Sequence, residues 1–156
     1  MNTTRTILLL AAALAAAGTA LAQQAPRPEN LIKWRQSAFQ VVAWNSGRIK
    51  ASLDGGYNKD QVLRSANAIA AIANSGLGSL FPPGTETGKG WHDTSVKADA
   101  FTNTARFAEH GGDFARESNE LVRLVSAGSD AGAVKDQFGK LQKTCKSCHD
   151  DFRNAN

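Results

Sequence analysis

The chain has 156 residues, 42% of them hydrophobic and 21% charged, with a formal net charge of +4. That length suits one domain. Lys and Arg are scattered and form no dense run, which argues against a nucleic-acid or membrane-surface patch. No stretch alternates branched or aromatic residues with polar ones, which argues against a sheet.

In chain order, Met1 to Arg5 form a short basic stretch, Thr6 to Gly18 an uncharged run rich in Leu and Ala, and Ala20-Leu21-Ala22 an A-x-A cleavage site. Residues 1–22 therefore read as a secretory signal peptide; the apolar run is too short for a transmembrane anchor. The mature domain is expected to span 23–156, to begin at Gln23 and to lie in the periplasm. Without Arg5 it has 17 basic and 14 acidic residues, net +3.

A first helix is expected from Glu29 to Leu53, after Pro28 and before Gly55-Gly56, with Leu31, Ala38, Val42 and Ile49 as apolar positions. A second begins near Lys59. Asn58 is its expected N-cap, and Gln61 completes a capping-box pattern; Val62, Ala66, Ile69 and Ala73 share one face. From Ser75 to Thr94 the chain is rich in Gly and Pro, a long break of the kind that is usually functional. Helical pattern resumes near Ser95 and is interrupted by Gly111-Gly112. It continues from Asp113 to Ala127 with Phe114, Leu121 and Leu124 inward. This third helix is either kinked at the glycines or preceded by a separate short helix.

The last helix is expected after Ser129 as N-cap. Val134, Phe138, Leu141, Cys145, Cys148 and Phe152 recur by threes and fours, the seam of a helix inside a four-helix bundle. On that seam lies Cys145-Lys146-Ser147-Cys148-His149. C-x-x-C-H is the attachment pattern of haem c. Each cysteine adds to one vinyl group of the porphyrin, and the adjoining histidine ligates the iron. The alternatives are weaker. A zinc site needs two more ligands at set spacing, and a thioredoxin-like pair belongs beside a βαβ pattern that is missing. Cys145 and Cys148 are the chain's only cysteines, so two thioethers leave none for a disulfide.

The C-terminal C-x-x-C-H with Asp150, Phe152 and Arg153, the run Trp34-Arg35-Gln36-Ser37-Ala38, and Phe81-Pro82-Pro83-Gly84-Thr85-Glu86 before Trp91 together resemble the cytochrome c′ family, the class II c-type cytochromes. The likeness spans the whole mature chain, except that Trp91 to Gly112 departs from the family pattern. It implies an all-α, left-handed antiparallel four-helix bundle holding one covalent haem c per chain in its core. It further implies a homodimer through the first two helices, Arg35 and Gln36 at the haem propionates, and Thr85 and Glu86 at the haem edge. Phe39 would stand on the distal face and Arg153 near the proximal imidazole of His149.

Met1, the only methionine, leaves with the signal peptide, so no His/Met iron can form. His92 and His110 are the remaining candidate sixth ligands, and both are expected to be exposed. The function expected is therefore a non-enzymatic haem protein with a five-coordinate, high-spin iron. It would bind nitric oxide and CO and pass single electrons with periplasmic partners. The alternative is an electron-transfer cytochrome with a six-coordinate, low-spin haem. A peroxidase fits poorly: the first-helix face near Phe39 offers Leu31, Ile32, Ala38 and Val42, where a distal base would be needed.

Overall fold

A computed structural model describes residues 25–154. The signal peptide expected at 1–22 lies outside the described residues. Five α-helices follow in order: α1 (Pro28–Gly55), α2 (Lys59–Ala73), the single turn α3 (Asp99–Thr102), α4 (Thr104–Ser126) and α5 (Ala131–Phe152). The four long helices form a bundle. A 3₁₀ turn, Leu77–Leu80, interrupts the long segment between α2 and α3. Among the described residues, no helix is long and apolar enough to cross a membrane.

Pro28 opens α1, where its missing N–H costs nothing. Ile32, Val42 and Ile49 are buried on its inner face, while Trp34, Val41 and Trp44 are exposed on the other. Asn58 caps α2 by accepting the Gln61 N–H at 3.0 Å. The other half of the expected capping box does not form. The Gln61 amide reaches the Arg48 carbonyl instead, at 3.4 Å, and the Asn58 N–H goes to Ser52 Oγ at 2.9 Å. Both partners belong to α1, so these bonds tie the α1–α2 corner together.

The third helical region takes the second of its two expected forms. The short α3 stands apart, and α4 runs unbroken through Gly111-Gly112, both open to space. Val125 is buried on α4 in the place expected of Leu124. The N-cap of α5 is Asp130, one residue after the expected Ser129; its carboxylate accepts the Ala133 N–H at 2.9 Å. Ser129 is already engaged in closing α4. Gly128, at φ +79, donates to the Val125 carbonyl and Ser129 to the Leu124 carbonyl, each at 3.1 Å, a paired closure needing a left-handed residue at Gly128.

The core joins Val42 and Ile49 of α1, Val62, Ala66 and Ile69 of α2, Leu121 and Val125 of α4, and Val134, Phe138 and Leu141 of α5. Close backbone packing links α1 to α2, α2 to α4 and α4 to α5; no comparable approach joins α1 to α5 among the described residues. One edge of the bundle is therefore looser than the other three. The Cys145–His149 motif lies on α5, which flanks that edge.

Candidate functional site

Cys145 and Cys148 stand one helical turn apart on α5, half-buried and as separate thiols. They continue the face of Val134, Phe138 and Leu141 past the close-packed core, so the apolar seam ends at two sulfur atoms. Cys145 Sγ rests 3.6 Å from the Leu141 carbonyl. Burial pushes both thiols up, Cys148 to about 11, with Cys145 and Asp151 adding to the rise. At neutral pH they are protonated, unlike an activated thiolate or a metal-bound one. Among the described residues no three His, Cys, Asp or Glu side chains are placed to hold a bare metal ion.

His149 follows directly and is exposed. Desolvation lowers its imidazole below the ordinary histidine value, and Arg153 adds to this against Asp150. A neutral imidazole keeps a nitrogen lone pair free for an iron. Arg153 itself is exposed; its backbone N–H donates to the His149 carbonyl at 3.0 Å. The last turn is pinned from outside the helix. Lys97 N–H donates to the Phe152 carbonyl at 2.9 Å, Lys97 Nζ to the Asp150 carbonyl at 2.8 Å, and Asn154 N–H to the Ser95 carbonyl at 2.8 Å.

Arg35 is 2% exposed, a buried cation on α1. Its guanidinium donates to Thr85 Oγ1 at 2.8 Å, the Thr85 carbonyl at 2.7 Å, Thr94 Oγ1 at 2.7 Å and the Leu80 carbonyl at 3.3 Å. None of these acceptors is charged. Burial lowers its pKa, and Glu86 partly opposes that. Glu86 turns its carboxylate to the Gly84 N–H, at 2.7 Å. Gln36 clamps the same segment: its carbonyl accepts the Trp91 N–H at 2.8 Å, and its amide donates to the His92 carbonyl at 3.0 Å. Thr85 is wholly enclosed, with its hydroxyl on the Pro82 carbonyl. Arg35, Gln36, Thr85 and Glu86 are thus gathered on one α1–loop seam, Arg35 and Thr85 in direct contact.

Phe39, one turn after Arg35, is 40% exposed and meets Phe81 edge-on. Of the other histidines, His92 is exposed as expected. His110 is not: it is 4% exposed, with Nε2 2.8 Å from Asp151 and its ring edge-on to Phe152. The neighbouring glycines suggested an open position, but they lie on another side of α4. Sequence reading missed two contributors. Asp151 is held by His110 and Arg106, and Phe81 is packed between Arg35 and Phe107. Phe81 sat within a motif already singled out; nothing in the sequence marked the Asp151 pairing.

The family model for cytochrome c′ matches residues 30–153. The chain belongs to the cytochrome c′ family. The cytochrome c′ of Rhodocyclus tenuis is 59% identical over 128 residues, covering 81% of this chain and 96% of that one. A solved cytochrome c′ with ligand-controlled dimer dissociation is 41% identical and superposes with a TM-score of 0.81, over 85% of this chain and all of the other. A nitric oxide complex of a cytochrome c′ variant from Alcaligenes xylosoxidans is 25% identical, with a TM-score of 0.75 over 85% of this chain and all of that one. Cytochromes c′ are haem proteins of electron transport, and the four-helix fold is theirs. The residues here suit such a group: two half-buried cysteines one turn apart, a histidine beside them, and a buried cation with no carboxylate bonded to it.

Proposed function

We infer that this is a periplasmic cytochrome c′ that binds nitric oxide and CO at a five-coordinate, high-spin iron and exchanges single electrons. Residues 1–22 direct export and are removed, leaving 23–156 as the working domain. One haem c per chain is tethered by thioether bonds to Cys145 and Cys148, with His149 as the axial ligand. Haem supplies an iron that changes oxidation state by one electron and takes up diatomic gases.

The chain's own residues supply the rest. Cys145 and Cys148 fix the tether to the end of the core seam. His149, whose imidazole is shifted toward the neutral form, presents its lone pair, and Arg153 lies one turn beyond it. Arg35, a desolvated guanidinium whose four bonded acceptors are all uncharged, would fork onto a carboxylate such as a haem propionate by exchanging some of them for it, with Gln36, Thr85 and Glu86 shaping the adjoining edge. Phe39 on the distal face offers no hydrogen bond. Dioxygen, which gains anionic character when bound, is therefore held poorly, whereas nitric oxide needs no donor. The observation that carries this reading is the pair of half-buried cysteines one helical turn apart, followed at once by a histidine.

Optical and EPR spectra of the purified holoprotein, ferric and ferrous, with and without nitric oxide, test it. A high-spin ferric spectrum is expected. A low-spin spectrum at neutral pH that disappears in His92→Ala or His110→Ala would establish the six-coordinate electron carrier instead. Intact mass should exceed the mature polypeptide by one haem, and haem that extracts into acidified organic solvent would overturn the covalent tether.

A homodimer through α1 and α2 belongs to the same reading. Trp34, Val41 and Trp44 are 50%, 43% and 61% exposed along α1, an apolar face of the kind that marks a protein contact. Sedimentation should report two chains, and a monomer would count against it.

A further inference from the structure

Five phenyl rings form a chain at the end of the bundle that carries the haem motif. Phe39 of α1 meets Phe81 with centroids 6.5 Å apart and planes at 64°. Phe81 meets Phe101 of α3 at 6.4 Å and Phe107 of α4 at 4.8 Å. Phe107 in turn meets Phe152 of α5 at 5.5 Å, three residues past His149. The Phe39–Phe81 and Phe107–Phe152 pairs are edge-on and the other two tilted, arrangements that the ring quadrupoles favour over a face-to-face stack.

The first two rings differ in freedom. Phe81 is half-buried and held on two sides. The Arg35 guanidinium lies 4.8 Å from its centroid and is itself fixed by four hydrogen bonds, while Phe107 packs on it at the same distance. Phe39 is 40% exposed, and Phe81 is its one aromatic partner among the described residues. One ring is anchored in the structure; the other leans on it.

We propose that Phe81 is a positioning residue for gas entry: it blocks the inward rotation of Phe39 and so sets how often the distal face opens. This rests on the distal role inferred for Phe39. Entry of a gas needs Phe39 to swing aside. With Phe81 fixed, a swing toward it is blocked, and a swing away from it gives up the edge contact and exposes more of the ring to water. Shortening Phe81 opens a second, inward rotamer. A gas then enters and leaves by the same added route, so both rates rise together and the equilibrium affinity moves less than either. A merely structural role for Phe81 has no reason to produce that split.

The test is CO rebinding after flash photolysis, with dissociation measured by displacement with nitric oxide, in the ferrous holoprotein. Phe81→Leu should speed association and dissociation alike, each about 2- to 10-fold, or about 0.4–1.4 kcal/mol off the barrier. Phe81→Tyr, which keeps the ring, should restore the parent rate. Phe39→Ala should be faster than either. The double variant should match Phe39→Ala, because no ring is then left for Phe81 to hold. Phe81→Met fills most of the same volume and allows the same comparison should the leucine variant not fold. A fast Phe39→Ala beside a parent-like Phe81→Leu would overturn the proposal and leave the distal reading intact, as would fully additive effects in the double variant. An unchanged rate in Phe39→Ala would overturn the distal reading itself.

Discussion

Gly90 faces α1 where there is no room for a methyl group. A Cβ there would lie 2.8 Å from the Lys33 backbone nitrogen and 2.9 Å from Ile32 Cγ2, and would collide with the Gln36 carbonyl oxygen. Only Gln36 can yield, and only by releasing Trp91 N–H and the His92 carbonyl. The Lys33 nitrogen is helix backbone, and Ile32 is fully buried. Gly90→Ala must therefore lift the 88–92 strap off α1. Overpacking of this kind costs about 1–3 kcal/mol, and the two Gln36 bonds add about 1 kcal/mol at a partly hydrated site. The total, about 2–4 kcal/mol, corresponds to a fall in melting temperature of roughly 10 °C for a domain of this size. Thermal unfolding of the holoprotein followed by far-UV circular dichroism measures it. A variant melting within about 2 °C of the parent, a shift worth well under 1 kcal/mol, would refute the docking of this strap.

Gly112→Ala should act the other way. Its site is open helix interior, so the variant should gain about 0.5–1 kcal/mol in the same melt. Asp151 is held below the usual carboxylate range, first by the His110 hydrogen bond and then by Arg106. Its contribution is present above about pH 4, the unfolded value, and is lost as pH falls through the lower folded value. Asp151→Asn should therefore lower the melting temperature at pH 7, and the gap from the parent should close below about pH 4; a gap constant from pH 7 to pH 3 would contradict this. Arg35→Lys keeps the charge but cannot serve four acceptors in a fork. It should cost about 1–3 kcal/mol in urea unfolding, and a neutral result would show that the charge alone matters there.

Much of the fold could be read in the chain because local chemistry decides it. The spacing Val134–Phe138–Leu141 fixes which face of α5 turns inward, and Asn58 can cap only the helix that follows it. C-x-x-C-H carries its own chemistry in five consecutive residues. What escaped reading depends on partners far away in sequence. The Trp91 and His92 bonds to Gln36 join residues 55 and 56 apart. Arg35 bonds across 45 to 59 residues. His110 is buried because Asp151 waits 41 residues on, and no local signal distinguishes it from the exposed glycines beside it. The Ser129 cap failed for a subtler reason, since the same residue was already closing the preceding helix.

The pairing of residues 95–97 with 152–154 bears on how steadily His149 is held. A helix normally leaves its last carbonyls to water and frays there. Here the Asp150 and Phe152 carbonyls are both taken by Lys97. An axial imidazole one turn from a free end would sample several tilts on the nanosecond scale; one turn from a pinned end, it has little such latitude. Were His149 to ligate the haem iron, as proposed, the strictness of that coordination would be set partly by a segment more than 50 residues upstream. Substitutions near Lys97 would show first as broadened spectra from a mixture of ligand orientations, with the melting curve barely changed.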